Sequence, residues 1–422
     1  MIILAINTAI ITAGIVVFLI VTLILVGILL FAKAKLTAKG NVQVSINNGE
    51  RVVTTEPGSS LLATLGSQKI FLPSACGGKG SCGMCKCQVD SGAGSILPTE
   101  TGFFSYKQQH EDWRLACQVK VKENIEMRIP ESILGIKKWE CTVVSNRNIS
   151  TFLKEFVVKL PEGENLKFKS GGYIQIDVPA LDVDFKDMDI DERYKGDWER
   201  MKMFDLKMHN PEPTYRAYSM ANSPAEGNII MLNIRIATPP FDRATGSFMP
   251  VNPGVCSSFI FSRKPGDKVT ISGPYGEFFL RETNNEMMFI GGGAGMAPMR
   301  SHIFNLFHTI HTDRKVTFWY GARALKEAPY VDEFNKIQEE NPNFHWTLAL
   351  DRPDPEADAA GIAYKPGFVH QVIFENYLKN HENPEDIEYY LCGPPMMIQA
   401  VTKMLYDLGV PDENVMYDNF GG

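Results

Sequence analysis

The sequence predicts a multidomain protein with a single N-terminal transmembrane helix, an α+β domain, an antiparallel β-barrel and a doubly wound α/β domain, in that order. Three observations carry this prediction. The first 32 residues contain no charged side chain, four cysteines crowd into the stretch "CGGKGSCGMCKCQ", and β segments separated by Gly and Pro later give way to alternating strands and helices. We place the domain boundaries at residues 1–35, 36–130, 131–282 and 283–422.

The N-terminal stretch "IITAGIVVFLIVTLILVGILLF" is long enough to cross the roughly 30 Å hydrocarbon core of a membrane as a helix. It lacks a basic leading segment and a small-residue cleavage pattern, so we predict a retained anchor instead of a cleaved signal peptide. Lys33, Lys35 and Lys39 follow directly, and this positive charge predicts that the rest of the chain lies on the cytoplasmic side of the membrane. A net charge of −7 without a long basic block argues against a nucleic-acid partner.

The cysteine-rich stretch predicts a [2Fe–2S] cluster. Cys76, Cys82 and Cys85 are spaced Cys-x5-Cys-x2-Cys, and Cys117 follows at a distance. In a reducing cytoplasm, clustered thiols favour metal over disulfides, and a structural zinc site would need two tight cysteine pairs where only one occurs. The neighbouring glycines let the backbone curl around a cluster. Cys87, at the start of a predicted strand, is expected to pack as a small hydrophobe, with a swapped ligand as the alternative.

This spacing resembles the plant-type ferredoxin loop, Cys-x4-Cys-x2-Cys followed by a distant Cys, with one extra residue in the first gap. The resemblance implies a ferredoxin (β-grasp) domain with Cys76, Cys82, Cys85 and Cys117 as ligands.

Two short motifs in the predicted barrel point to a bound pyrophosphate. "RAYS" opens a strand, and "GVCSSF" begins a helix whose N–H groups suit a phosphate, with Arg216 as the matching cation. Together they resemble the ferredoxin–NADP reductase superfamily and imply FAD. Arg216 would then bind the pyrophosphate, Tyr218 would stack on the isoalloxazine ring, and Ser219 would hydrogen-bond near flavin N5. The motif residues are Arg216, Ala217, Tyr218 and Ser219, with Gly254, Val255, Cys256 and Ser257 on the other side of the pyrophosphate.

A charged insertion interrupts the barrel at 180–213. We expect a solvated excursion there, with a docking surface for a partner as the alternative.

The last domain carries the signature of a dinucleotide site. "FIGGGAGMAPMR" follows an apolar strand and opens a helix, with Gly292, Gly293, Gly295 and Pro298 in the turn. Its Pro variant of the Gly-rich loop, together with the distal "YLCGPPMM", is similar to the NAD(P)-binding half of the same superfamily. That similarity would place Cys392 and Gly393 beside the nicotinamide.

Two further residues bear on the nucleotide. Reductases of this superfamily often end in an aromatic residue that covers the flavin, so the resemblance implies that Phe420, almost at the end of "DNFGG", covers the flavin and moves when nicotinamide enters. Arg323 follows the second strand, where a cation suits a 2′-phosphate, but no basic cluster accompanies it in the sequence. We expect NADH as the substrate because of the family described next.

Over essentially its whole length, including the insertion and the "FGG" end, the chain resembles the F subunit family (NADH dehydrogenase subunit) of bacterial Na⁺-translocating NADH:quinone oxidoreductases. The resemblance implies hydride transfer from NADH to FAD, single-electron transfer to [2Fe–2S], other membrane subunits as partners, and quinone as the final acceptor. Ser219, Cys392 and Phe420 would be the catalytic residues. Two alternatives stay open: a membrane-tethered reductase that feeds an oxygenase or desaturase, and an anchored ferredoxin scaffold with an inert reductase half.

Overall fold

The computed structural model describes residues 2–36, 40–242 and 244–418. Helix α1 spans Ile2–Leu36, and within it Thr12–Phe31 is long and apolar enough to cross a membrane, with a mean hydropathy of 3.2. The rest of the chain divides into two compact units. One contains Gly83–Leu134 and the chain up to Leu72, and the other contains Pro73–Cys82 and the chain from Gly135 onward.

A five-stranded mixed sheet forms the centre of the first unit, in the order β2-β1-β5-β3-β4. Strand β1 pairs antiparallel with β2 through an Asn47-Asn48-Gly49 turn and parallel with β5. Helix α2 follows β2, and the Ser60 hydroxyl caps it by accepting the Ala63 N–H at 3.2 Å. The elements are β1 Val42–Ile46, β2 Arg51–Thr55, α2 Leu61–Ser67, β3 Lys86–Ser91, α3 Pro98–Thr101, α4 Tyr106–His110, β4 Trp113–Leu115, β5 Ile125–Arg128 and α5 Glu131–Leu134.

An antiparallel six-stranded sheet in the order β11-β8-β15-β6-β7-β12 forms the predicted barrel. A bridge between Met220 and Leu232 joins its two edges. Alternating side chains such as Ile174 and Ile176 fill the interior, because successive residues of a strand point to opposite faces. The elements are β6 Lys137–Asn148, β7 Leu153–Lys159, β8 Tyr173–Val178, β11 Thr214–Ser219, β12 Ile229–Arg235, β13 Phe241–Asp242, β14 Ser247–Phe248, α7 Val255–Phe261 and β15 Lys268–Tyr275.

The insertion at 180–213 differs from the solvated excursion that the sequence suggested. It folds into a two-stranded sheet of β9 Leu181–Asp184 and β10 Lys207–Asn210, with helix α6 Glu192–Arg200 between them. Its Phe185, Trp198 and Met203 are fully buried and belong to the barrel's apolar core. The insertion is buried in this way because helix α6 is amphipathic. Tyr194 and Trp198 lie one turn apart on α6 and face inward, while the charged residues lie on the outer face.

A parallel six-stranded sheet in the order β19-β18-β17-β16-β20-β21 forms the last domain. Apolar clusters cover both faces of the sheet, as the doubly wound prediction requires. The strand order reverses between β16 and β20, and ligands of such folds bind at the carboxyl ends of the strands at this point. The elements are β16 Met287–Gly292, α8 Met296–Asn305, β17 Val316–Ala322, α9 Val331–Glu340, β18 Phe344–Leu350, α10 Pro355–Ala360, β19 Lys365–Pro366, α11 Val369–Asn376, β20 Glu388–Cys392, α12 Pro395–Asp407 and β21 Val415–Asp418.

Candidate functional site

The carboxyl ends of β16 and β20 meet at the predicted dinucleotide loop. A Cβ atom at Gly295 would overlap the backbone carbonyl of Cys392, and one at Gly292 would lie 2.9 Å from the Met397 sulfur. Only glycine permits this approach of the two strand ends. Gly293 adopts φ 56°, a left-handed conformation, and Pro298 lies buried in the first turn of α8. The structure therefore brings the Gly-rich loop and the Cys392-Gly393 turn together, as a nucleotide that crosses both would require.

A hydrogen bond connects the barrel to this strand edge. The Ser219 hydroxyl, at the end of β11, donates to Asp418 Oδ2 at 2.7 Å. Asp418 pairs with Cys392 between β21 and β20, so the three residues converge from three strands. Burial raises the pKa of the Asp418 carboxyl, and the hydrogen bond from Ser219 opposes that shift. Burial, with the Asp418 charge second, raises the pKa of Cys392 well above its usual range, so this thiol stays protonated.

Asp418 is the residue of this site that the sequence reasoning missed. It lies 199 positions from Ser219 in the sequence. The signal that could have pointed to it is a carboxylate directly after an aromatic residue, near the predicted flavin cover. Phe420, the predicted flavin cover, lies outside the described residues.

The residues predicted to hold FAD lie together on β11 and α7. Arg216 donates to the Tyr215 carbonyl at 2.7 Å and to the Thr214 hydroxyl at 3.1 Å, and its described hydrogen-bond partners include no carboxylate. Burial raises the pKa of Tyr218 far above its usual range; Cys256 adds to this shift and the Arg216 charge opposes it. Neutral oxygens as partners leave the half-buried guanidinium without a described carboxylate to compensate its charge, so the site fits a pyrophosphate.

Ser257 has a local role in the structure. Its hydroxyl accepts the Ala237 N–H and donates to the Gly254 carbonyl, each at 3.1 Å, which fixes the entry to α7. A Cβ at Gly254 would lie 2.5 Å from the Ala237 Cβ, so this position also requires glycine. Ala217 and Val255 contribute backbone to the two segments.

The four predicted cluster ligands form two pairs. In the segment Pro73–Cys82, the sulfurs of Cys76 and Cys82 lie 3.4 Å apart. In the mixed-sheet unit, the thiols of Cys85 and Cys117 are hydrogen-bonded to each other. Two thiolates on one tetrahedral iron, with metal–sulfur bonds of about 2.3 Å, lie about 3.8 Å apart, so the Cys76–Cys82 separation nearly matches one iron.

The surrounding backbone also fits a cluster. Gly77, Gly78, Gly80 and Gly83 all have positive φ, from 68° to 81°, which curls the loop. Among the described residues no group of three or more His, Cys, Asp or Glu is arranged to hold a metal ion. A two-iron cluster needs only two protein ligands on each iron, so paired thiols suffice. The Cys87 thiol is buried and directed at the Arg114 carbonyl at 3.8 Å.

Arg323 has a basic neighbour that the sequence did not reveal. Burial, with the Arg323 charge second, lowers the pKa of Arg235 on barrel strand β12. The Arg323 charge therefore acts on a second guanidinium, that of Arg235.

Comparison with known protein families matches three regions of the chain. A 2Fe-2S iron–sulfur cluster binding domain matches residues 44–122, an oxidoreductase FAD-binding domain matches 201–280, and an oxidoreductase NAD-binding domain matches 289–403. The three matches confirm the predicted cofactor classes.

Solved structures show the same fold. An Amycolatopsis cytochrome P450 reductase covers 90% of this chain and 98% of its own, with a TM-score of 0.61 and 24% identity. The ferredoxin reductase in carbazole 1,9a-dioxygenase gives the same coverage, with a TM-score of 0.56 and 25% identity. Both likenesses confirm the predicted fold class.

Full-length relatives are closer in sequence. The F subunit of the Na(+)-translocating NADH-quinone reductase of Idiomarina loihiensis is 53% identical over 410 residues, which cover 97% of this chain and 98% of the relative. The protein of the same name from Methylococcus capsulatus is 53% identical over 409 residues, with the same coverage. The chain therefore belongs to the F subunit family of the Na(+)-translocating NADH-quinone reductases.

Proposed function

We propose that this chain is the membrane-anchored NADH dehydrogenase subunit of a Na⁺-translocating NADH:quinone oxidoreductase. It takes hydride from NADH and delivers electrons toward quinone through the other membrane subunits. FAD, when bound, accepts an electron pair and releases electrons singly, and a [2Fe–2S] cluster takes them one at a time. The apolar span Thr12–Phe31 of α1 supports a single-pass inner-membrane anchor, and the lysines after this span support a cytoplasmic location for the rest of the chain.

The observation that carries the proposal is the Ser219–Asp418 hydrogen bond. It joins the barrel strand with the flavin motif to the strand edge with the dinucleotide motif, so the two half-sites meet at one point. As a relay, Ser219 would pass its hydroxyl proton to Asp418 Oδ2 while its oxygen takes a proton from the group it faces, so the hydroxyl is restored and Asp418 holds the proton. Cys392 and Gly295 shape the seat of the nicotinamide, and Arg216 holds phosphate on the barrel side. By the family resemblance, Phe420 would shield the flavin ring that nicotinamide must reach.

The decisive experiment is an anaerobic titration of the purified full-length protein with NADH, followed by UV–visible and EPR spectroscopy. We expect flavin absorbance to bleach and a [2Fe–2S] signal to appear in the same titration. A colourless preparation without flavin absorbance would support the inert scaffold instead.

A second experiment separates the two reductase functions. Co-purification with polytopic subunits and Na⁺-stimulated quinone reduction would support the proposal. Electron delivery to an oxygenase or desaturase, without Na⁺ stimulation, would support the tethered-reductase alternative.

A further inference from the structure

Helix α6 of the insertion is fixed to the helix that begins at the predicted FAD pyrophosphate segment. Trp198 is fully buried and stacks on Phe261, the last residue of α7, with ring centroids 6.1 Å apart and an interplanar angle of 19°. Phe204, also in the insertion, packs against the same Trp198 ring at 5.5 Å. A buried aromatic cluster of this kind gives α6 a fixed position on the barrel.

The charged side of α6 reaches the loops at the nucleotide edge of the parallel sheet. The Asp197 carboxylate pairs with the Lys326 ammonium, and Arg193 pairs with Glu356. Lys326 lies in the loop 323–330 that follows β17, and Glu356 lies in α10, which follows β18. The Lys326 ammonium lowers the pKa of Asp197, whose side chain is only 11% exposed. The carboxylate therefore stays charged and paired at neutral pH.

A relay through Thr151 attaches the same loop a second time. Trp198 Nε1 donates to the Thr151 carbonyl at 2.7 Å, and the Thr151 N–H donates to Glu327 Oε2 at 3.1 Å. The Thr151 hydroxyl also donates to the Glu327 carboxylate. Lys326 and Glu327 are thus held by adjacent residues of α6, one directly and one through a buried threonine.

The loop 323–330 occupies the position that meets the adenosine side of a dinucleotide in open α/β sheets. Its other end is also held: Tyr330 donates to Glu155 at 2.8 Å and accepts from Asn233 at 2.7 Å, both on barrel strands. Leu325 N–H donates to Asp354 at 2.7 Å. Ordering this loop costs free energy when NADH binds. Because these contacts already order the loop in the free protein, they lower that cost.

We propose that the insertion is an intramolecular brace, and that Asp197 and Trp198 are positioning residues that hold loop 323–330 in its NADH-binding conformation. This inference rests on the proposed function, because it assumes NADH at the β16–β20 edge. The alternative of a partner-docking surface fits less well, since the insertion turns its large apolar side chains into the barrel core.

The test uses the FAD-loaded full-length protein with Asp197→Asn, Trp198→Phe and a control. Lys195→Gln is the matched control, because Lys195 is on the same helix and pairs with the exposed Glu192. We expect Asp197→Asn to raise the KM and Kd for NADH about fivefold, with kcat within about twofold. Trp198→Phe removes one hydrogen bond, so its effect has the same direction and is smaller. Lys195→Gln changes neither constant.

Two further measurements distinguish a loss of loop positioning from a change in catalysis and from misfolding. Hydrogen exchange of the amides in 323–330, measured without NADH, becomes faster in Asp197→Asn and is unchanged in the control. The charge swap Asp197→Lys with Lys326→Asp, made together with Arg200→Gln because Arg200 also pairs with Asp197, restores NADH affinity toward that of the wild type, which a simple folding defect would not allow.

Unchanged NADH affinity together with unchanged exchange in Asp197→Asn would overturn the brace. If the wild type does not transfer hydride from NADH at all, the proposed function fails, and the exchange measurement still decides whether the insertion holds the loop.

Discussion

Replacing Ser219 with Ala tests the contact on which the proposed function rests. The change deletes a hydroxyl that donates to a carboxylate at 2.7 Å. A hydrogen bond to a charged group contributes about 1.5–3 kcal/mol, and each 1.4 kcal/mol corresponds to about tenfold in rate. If the bond is used in the rate-limiting proton movement, kcat for NADH-dependent ferricyanide reduction falls about ten- to hundredfold.

The same substitution moves the pH profile in a definite direction. The Ser219 hydroxyl stabilises the ionised form of Asp418, so it lowers a pKa that burial has raised. Its removal raises this pKa further, and the ionised base is then lost at a higher pH. We expect the acid limb of kcat to move to higher pH in Ser219→Ala, to stay in Ser219→Thr, and to vanish in Asp418→Asn.

The assay is steady-state reduction of ferricyanide by NADH, measured over about three pH units around neutrality, from about 5.5 to about 8.5. Ser272→Ala is the control, because it removes a buried barrel hydroxyl that bonds Tyr275 instead of Asp418. A rate for Ser219→Ala within about twofold of the wild type, with the acid limb in place, would refute the reasoning.

Three other predictions concern separate parts of the chain. Gly295→Ala inserts a Cβ into the space of the Cys392 carbonyl, so NADH-dependent flavin reduction falls at least about tenfold while the FAD content, measured after denaturation, stays the same. Glu100→Ala leaves Arg114 buried without its 2.8 Å partner and destabilises the mixed-sheet unit by about 3–5 kcal/mol, seen as loss of cluster absorbance at lower urea concentration. Burial lowers the pKa of Lys154 from its ordinary 10.5 to about 8. Between these values the unfolded chain binds more protons, so the free energy of unfolding rises with pH; Lys154→Met abolishes that rise in urea titrations across the window.

Much of the architecture could be predicted from local patterns. The Asn-Asn-Gly turn, the alternating barrel strands and the Gly-rich loop after an apolar strand each depend on a few neighbouring residues, and the structure contains all three. Burial of Cys141 in a barrel strand follows from the same kind of pattern.

The contacts that complete the site could not be predicted in this way. Ser219 and Asp418 meet only because β11 and β21 end at the same place, and nothing local encodes that convergence. The prediction for the insertion was wrong because it relied on the many charged residues, which indicate exposure. The spacing of Tyr194 and Trp198 is a helical period that places both rings on one side of α6, and it indicated a buried face. The influence of the Arg323 charge on the pKa of Arg235 also joins residues from separate domains of the sequence.

The place of β21 in the sheet has a consequence for biosynthesis. Asp418 enters the site on an edge strand that pairs with β20, whereas the apolar helix α1 ends at Leu36. At about 5–20 residues per second, the ribosome needs on the order of 20–80 seconds between these two points. The apolar helix is therefore available for insertion long before β21 can join the sheet, so a chain still in synthesis lacks the Asp418 side of the proposed NADH site.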